Sequence, residues 1–369
     1  VPGLQFPRAW TTSTDPYAAL VSLFTGQYPD AARVFFNRHR LDPTIPTLPE
    51  AARRAGRHTV LAGGLFPGLG DAVTSRGFDR VLLAKHSKDR PDASAVLARM
   101  QKAMVARKGK AFFGVAVLGD PGSRSAPRTR SWRRFMTRPD KLPWPPEQTR
   151  QVLLDRERKK KALTPREKEY LQALRLGVVT ETLEAIRVFA TALEVRYRPL
   201  IVVVGLGHAG SRDGFDPEQA SVPLWIEDPY AKYDDPEATV DLTDITALLA
   251  ASAGADFRAQ GTDPRAFIRG AWPQRAFVAT PSKTRLVAQD AQIWVRPAKG
   301  AAKLLLETAR DGARAWISAG DDPVSRFLVR LSRVSFDTLA AAGGRWTAST
   351  FSPPVTRGAP PGVGSPCEK

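Results

Sequence analysis

A chain of 369 residues with 43% hydrophobic and 25% charged residues can bury a sizeable core, as one large domain or two smaller ones. No run reaches the roughly 18 consecutive apolar residues of a membrane helix, and a single cysteine, Cys367, excludes intramolecular disulfides and thiolate metal cages. The formal charge is +18, and thirteen Lys/Arg against four Asp/Glu between Arg124 and Lys161 place half of it in one segment. Four histidines, His39, His58, His86 and His208, are too few for a histidine-rich metal centre.

In chain order, a helix over Thr47–Ala55 (TLPEAARRA) is stopped by Gly56 and followed by an apolar strand at His58–Ala62. A strand at Arg80–Ala84, a helix over Asp92–Ala106 and a strand at Ala111–Leu118 (AFFGVAVL) come next. The stretch 120–166 is rich in Pro, Arg and Lys, carries Trp132 and Trp144, and reads as an extended insertion. A long amphipathic helix over Tyr170–Glu194 feeds a strand at Leu200–Val204 (LIVVV). A strand at Val222–Ile226 and a helix over Asp241–Ala253, stopped by Gly254, complete this part. Beyond Phe267, short strands are expected at Phe277–Thr280, Thr284–Ala288 and Ile293–Arg296, then Lys303–Thr308 and Ala315–Ser318, before a helix from Pro323 to about Leu339. Strands apolar on both faces, alternating with helices, specify an α/β class: a three-layer α/β/α sandwich with a mostly parallel sheet, plus a small C-terminal antiparallel α+β subdomain. The implied division is 1–266, 267–345 and a Pro/Gly-rich disordered tail over 346–369.

Short motifs punctuate this order: SLFTGQYP at Ser22–Pro29, TLPEAARRAGRHT at Thr47–Thr59 and GFD at Gly77–Asp79. They continue with Leu200–His208, EQASVPL at Glu218–Leu224, DITALLAASAG at Asp244–Gly254 and AGDDP at Ala319–Pro323. None is specific alone. In this order and at these spacings, from about residue 5 to about residue 340, the chain resembles the sulfatase branch of the alkaline phosphatase superfamily.

The resemblance implies a metal held by carboxylates, a nucleophile set against it, and basic side chains on the anionic oxygens of an ester. The nucleophile position, ten residues before Gly26, is Pro16, which has no nucleophilic group and no backbone donor. The family's "CxPSR" becomes Pro16-Tyr17-Ala18-Ala19-Leu20, so its arginine is missing too. Ser13 and Thr14 are neighbouring hydroxyls that would serve only after a register shift; otherwise they form a turn. "GKxH" becomes Gly63-Gly64-Leu65-Phe66. "SDHG" becomes Leu206-Gly207-His208-Ala209, with Gly207 in place of a metal-binding aspartate. His208 reads either as a remnant of the metal or leaving-group site or as a hydrogen-bonded histidine ending a buried strand. Asp213 and Asp216 read either as cation ligands or as solvated loop carboxylates, and Arg212 is the only basic residue between Ala209 and Val222. The family's first strand, with its paired metal-binding aspartates, would precede Val1.

The expectation is a sulfatase-like pseudoenzyme, a non-catalytic binding or structural component. No cofactor is expected. The first alternative is an active metal-dependent sulfuric or phosphoric ester hydrolase completed by upstream residues, which alone would call for a calcium-type divalent metal. The second is a polyanion- or envelope-binding protein acting through Arg128, Arg130, Arg133 and Arg134, with Trp132 and Trp144 stacking on the ligand; its plain counterpart is a solvated loop. A start at Val1 without a signal pattern suggests that upstream residues have been removed, and an upstream segment or a partner is expected to complete the sheet. Relatives in bacteria are often exported or membrane-tethered, so the resemblance implies an envelope location.

Overall fold

The computed structural model describes residues 3–36, 39–64, 68–83, 92–106, 111–119, 126–159, 161–207 and 220–267, together with five strands between 275 and 318. Strand β1 (Leu4–Gln5) and strand β2 (Ala9–Trp10) lead into helix α1 (Pro16–Thr25), the short helix α2 (Pro29–Ala32) and helix α3 (Leu48–Arg54). Strand β3 (His58–Gly63) is buried along its whole length, as its unbroken apolar run requires. It pairs in parallel with β4 (Arg80–Leu83) on one side and β5 (Phe112–Val117) on the other. Helix α4 (Ala93–Val105) precedes β5 and is capped by Asp92, which accepts from Ala95 N–H at 2.8 Å.

A second sheet holds β6 (Ile201–Val204) and β7 (Leu224–Glu227), antiparallel to each other, with β1 antiparallel on the far side of β7. Strand β8 (Val240–Asp241) pairs with β2 in parallel and opens the helix over Leu242–Ala253. On one face of the sheets, Leu20 and Phe24 of α1, Leu48 of α3, Leu61 of β3 and Ile245 and Leu248 of that last helix share the main core. On the other face, Met100 and Met104 of α4 pack with Val60, Ala62 and Leu193. These are the three expected layers. Strands β9 to β13 (Arg275–Ala279, Arg285–Gln289, Gln292–Arg296, Lys303–Glu307 and Arg314–Ser318) form an antiparallel meander in sequential order. The helix expected at 323–339 and the tail lie outside the described residues.

The segment 126–166 differs from the expected extended loop. It folds into a turn at Ser131–Phe135, a helix α5 (Thr149–Arg158) and the start of a 33-residue helix α6 (Pro165–Tyr197). The helix begins at Thr164, whose N–H donates to Glu167 at 2.8 Å while its hydroxyl accepts from Glu167 N–H at 3.3 Å. Trp132 and Trp144 are 3% and 8% exposed and meet the fully buried Tyr170 edge-on at 5.6 and 5.4 Å. Tyr170 O–H donates to Trp144 O at 2.9 Å, and Trp144 Nε1–H to Thr149 at 3.0 Å. Aromatic burial of this size lets the insertion carry its own small core.

Among the described residues, no hydrogen bond joins β5 to β6. They flank a cleft of about 1620 Å³, and both are only partly buried where β3 is wholly so.

Candidate functional site

In open α/β folds the ligand end is where parallel strands finish, and here the turn before α1 meets the end of β6. Thr11 and Ser13 are fully buried. Thr11 O–H is shared between Ser13 O at 2.8 Å and Leu206 O at 3.1 Å. Gly207 takes a φ of +97°, and a Cβ there would lie 3.1 Å from Ser13 O and 3.2 Å from Thr11 Cγ2. Ser13, which would serve as nucleophile only after a register shift, and Gly207, in the metal-carboxylate slot, are therefore neighbours, although distant in sequence.

What fills them is a closed hydrogen-bond set. Asp15 caps α1, accepting from Tyr17 N–H at 2.9 Å and Ala18 N–H at 3.1 Å, while Asp15 N–H donates to Ser13 Oγ at 3.1 Å. Pro16 at the first helical position has no N–H to offer. The first donors of the helix, which would otherwise face an anion, are thus spent on a side chain of the same turn. Burial pushes the Asp15 carboxyl up, against the lowering by its two backbone donors. Tyr17 O–H donates to Asp71 Oδ2 at 2.7 Å, and burial together with that carboxylate raises the phenol. Asp71 Oδ1 accepts from Val73 N–H at 3.0 Å and Thr74 N–H at 2.8 Å. Of these two carboxyls, Asp15 lines the cleft, so this end presents a carboxyl and not a cationic side chain among its described residues.

Leu20, in the arginine position, is 1% exposed inside the main core. Gly64 N–H donates to Val117 O at 3.2 Å. Thr14 is half-buried beside Ser13. His208, Asp213, Asp216, Leu65 and Phe66 lie outside the described residues. The described residues at this end do not fit a divalent cation. Gly207 supplies no carboxylate, a Cβ there would already press on Ser13 O and Thr11 Cγ2, Asp15 Oδ1 is taken by two backbone donors, and no three of His, Cys, Asp and Glu converge among the described residues. Two histidines are placed, both in structural roles. His58 Nδ1 lies 3.2 Å from Asp79 at the start of β3, and His39 Nδ1 accepts from Phe35 N–H at 3.1 Å.

The arginines of the insertion sit together. Arg128, Arg130, Arg133 and Arg134 are all exposed on the turn that packs against α6. Arg128 pairs with Asp92, and Arg134 Nη2–H donates to Thr180 at 3.0 Å. Arg133 lies over Trp132 and Arg134 over Phe135, at 5.7 and 4.8 Å from the ring centroids. The expected stacking of Trp132 and Trp144 on a ligand is ruled out by their burial against Tyr170.

Reasoning from the sequence missed α1 and its cap. The signal was present as Asp15-Pro16, an N-cap residue followed by proline at the first helical position.

No family model matches the chain, and no curated protein does. Solved structures do. A phosphonate monoester hydrolase of Agrobacterium radiobacter aligns over 92% of this chain and 89% of its own, with a TM-score of 0.66 and 17% identity. One from Silicibacter pomeroyi aligns over 95% and 90%, with a TM-score of 0.62 and 18% identity. A 2-O GAG sulfatase aligns over 92% and 84%, with a TM-score of 0.60 and 16% identity. At such identities the likeness is one of backbone architecture, and the chain has the fold seen in these phosphonate monoester hydrolases and this sulfatase, and in a Vibrio parahaemolyticus protein described as a member of the alkaline phosphatase superfamily.

Proposed function

We propose that this chain uses a hydrolase fold for binding or as a structural component, and does not turn over sulfate or phosphate esters. The observation that carries this is the closure of α1. Pro16 stands in the nucleophile position, and the Asp15 carboxyl occupies the helix donors nearest to it. Ester hydrolysis needs an attacking group, a cation and donors that take up charge in the transition state. Losing a nucleophile or base alone costs roughly a millionfold in a serine protease. The purified chain is expected to give no hydrolysis of aryl sulfates, phosphates or phosphonates above background with calcium, magnesium, manganese or zinc. Metal-dependent turnover that disappears in Thr14→Ala or His208→Ala would establish the alternative, a metal-dependent ester hydrolase.

A second reading has its own observation, the exposed arginine cluster at 128–134. Under it the insertion binds a polyanion through phosphate or sulfate contacts alone, without aromatic stacking. Affinity for heparin or duplex DNA is then expected to fall steeply with salt. Replacing Arg130, Arg133 and Arg134 by Gln would lower the slope of log affinity against log salt for DNA by up to about 3. Arg128 is left out because it holds Asp92. An unchanged slope would remove this reading.

A further inference from the structure

Helix α6 carries one long seam along its side. Tyr170, Leu174, Gly177 and Glu181 recur at steps of four, three and four residues, and Glu184, Val188, Thr191 and Val195 continue the same rhythm. The insertion covers the first half. Trp132 and Trp144 close over Tyr170, and a Cβ on Gly177 would fall 2.9 Å from both Pro127 and Trp132. Glu181 accepts from Arg128 N–H at 3.0 Å and from Thr129 N–H at 2.5 Å. Coverage ends there. Glu184, Thr191 and Ala192 are exposed, Val188 is 57% exposed, and Val195, at 87%, is the most exposed large apolar side chain among the described residues.

Helix α4 runs beside this second half in the same direction, since Leu97 clusters with Ala185 and Ile186 while Met100 and Met104 cluster with Leu193. Between the two helices and the insertion turn lies a groove of about 450 Å³ with an apolar wall of Leu97, Ala98, Ala185, Val188 and Phe189. Charge changes sign along the seam. The groove is lined by Asp92, Glu181 and Glu184 against Arg128, and Arg187 pairs with Glu184 from the neighbouring turn. Towards the other end the exposed charges are Arg196 and Arg198, with Arg99 and Lys102 of α4 alongside and the half-buried Glu194 on the flank. A small molecule would fill the groove and leave Val195 in water.

We propose that two copies of this chain pack α6 against α6, antiparallel, about a two-fold axis at Thr191, the midpoint between Glu184 and Arg198. The second copy's Val195 then enters the groove beside Val188, and its basic end meets Asp92, Glu181 and Glu184. The same contacts repeat across the axis, as an interface of this symmetry requires. Apolar contact supplies the attraction and the change of sign sets the direction, because parallel packing would place arginine ends together. Shape agrees with charge. The insertion stops at Glu181, so each molecule carries a step over residues 184–198, about 21 Å long, that the other molecule's step fills. A contact of this length is smaller than a standard interface, so the expected association is weak. The inference stands whether or not the chain turns over esters.

The test uses the full chain. Sedimentation velocity between about 1 and about 100 µM is expected to show a monomer passing to a dimer. Val195→Glu changes an exposed position, so this variant should fold, by circular dichroism, and its dissociation constant should rise at least tenfold. Cross-linking reads the geometry. In a Cys367→Ser background, Thr191→Cys lies on the axis and should oxidise to a disulfide-linked dimer at least tenfold faster than Val195→Cys. Antiparallel packing keeps the two copies of residue 195 about 12 Å apart, beyond the reach of a disulfide. The proposal would be overturned by a chain that stays monomeric at the top of this range, or by a dimer that Val195→Glu leaves unchanged. Equal cross-linking of the two cysteine variants would overturn it too, because a parallel or random contact gives that result.

Discussion

Replacing Gly77 by Ala is expected to destabilise the chain by about 4 kcal/mol, against about 1 kcal/mol for Gly56→Ala. Both glycines have a left-handed backbone, with φ of +86° and +80°. Around Gly56 a Cβ would meet nothing within 4 Å, so Ala there bears only the conformational cost. At Gly77 it would fall 2.3 Å from Glu50 N and 2.7 Å from Pro49 C, which are main-chain atoms at the start of α3. Helix α3 must then lift from the sheet. It takes with it the seat of Phe78, which meets Phe24 edge-on at 5.6 Å, and strains the bond from Thr59 O–H to Gly77 O at 2.8 Å. Thermal unfolding should show a drop of roughly 10 °C for Gly77→Ala and a third of that or less for Gly56→Ala. Equal drops would mean that the close approach of α3 is not what selects glycine.

The second large effect is expected at Asp241, which caps helix α7 (Leu242–Ala253) from a fully buried position. One of its oxygens accepts from Thr243 N–H at 2.8 Å and Thr243 O–H at 2.6 Å, and the other from Tyr28 O–H at 2.7 Å. Asp241→Ala removes the acceptor that these donors share, for a loss of about 3 kcal/mol. Asp241→Asn keeps the capping oxygen and presents an N–H₂ to the Tyr28 oxygen, so it should cost about 1 kcal/mol at acid pH. Burial raises both carboxyls, and Asp244, beside the Asp241 charge, lies well above the ordinary carboxylate range. A carboxyl raised in the folded state binds protons there that the unfolded chain has already released. Its contribution is present below the unfolded value near 4 and is lost as pH rises through the folded one. Asp241→Asn removes one member of the pair, so its stability relative to the parent should improve steadily from about pH 4 upwards. A difference independent of pH would show that the pair does not exchange protons on folding.

The parts of the fold written in the sequence are those set by local chemistry. The short run HTVLAG at 58–63, closely following a helix stop, reads as a strand buried on both faces, and Gly56 and Gly254 marked where helices stop. The motifs that resemble the family pattern are of this kind. In GFD, Gly77 admits α3, Phe78 fills the core, and Asp79 accepts from Thr59 N–H at 2.9 Å. What sequence could not supply was contact between remote segments. Nothing in Arg124–Lys161 announces that Trp132 and Trp144 close on Tyr170, because its polar surroundings resemble those of a solvated loop. The nearness of Ser13 to Gly207 was legible only through a resemblance, and the parts played by Thr11 and Asp15 only from geometry.

Helix α6 is one unbroken rod of 33 residues, about 50 Å long. Its first half is gripped by the tryptophan core, its second half lies on α4, and β6 begins four residues after its last turn. Pivoting by about 5° around its middle would carry each end by about 2 Å, nearly half the spacing between paired strands. Helix α6 therefore joins the arginine-bearing turn to β6 through one continuous element with no break in it.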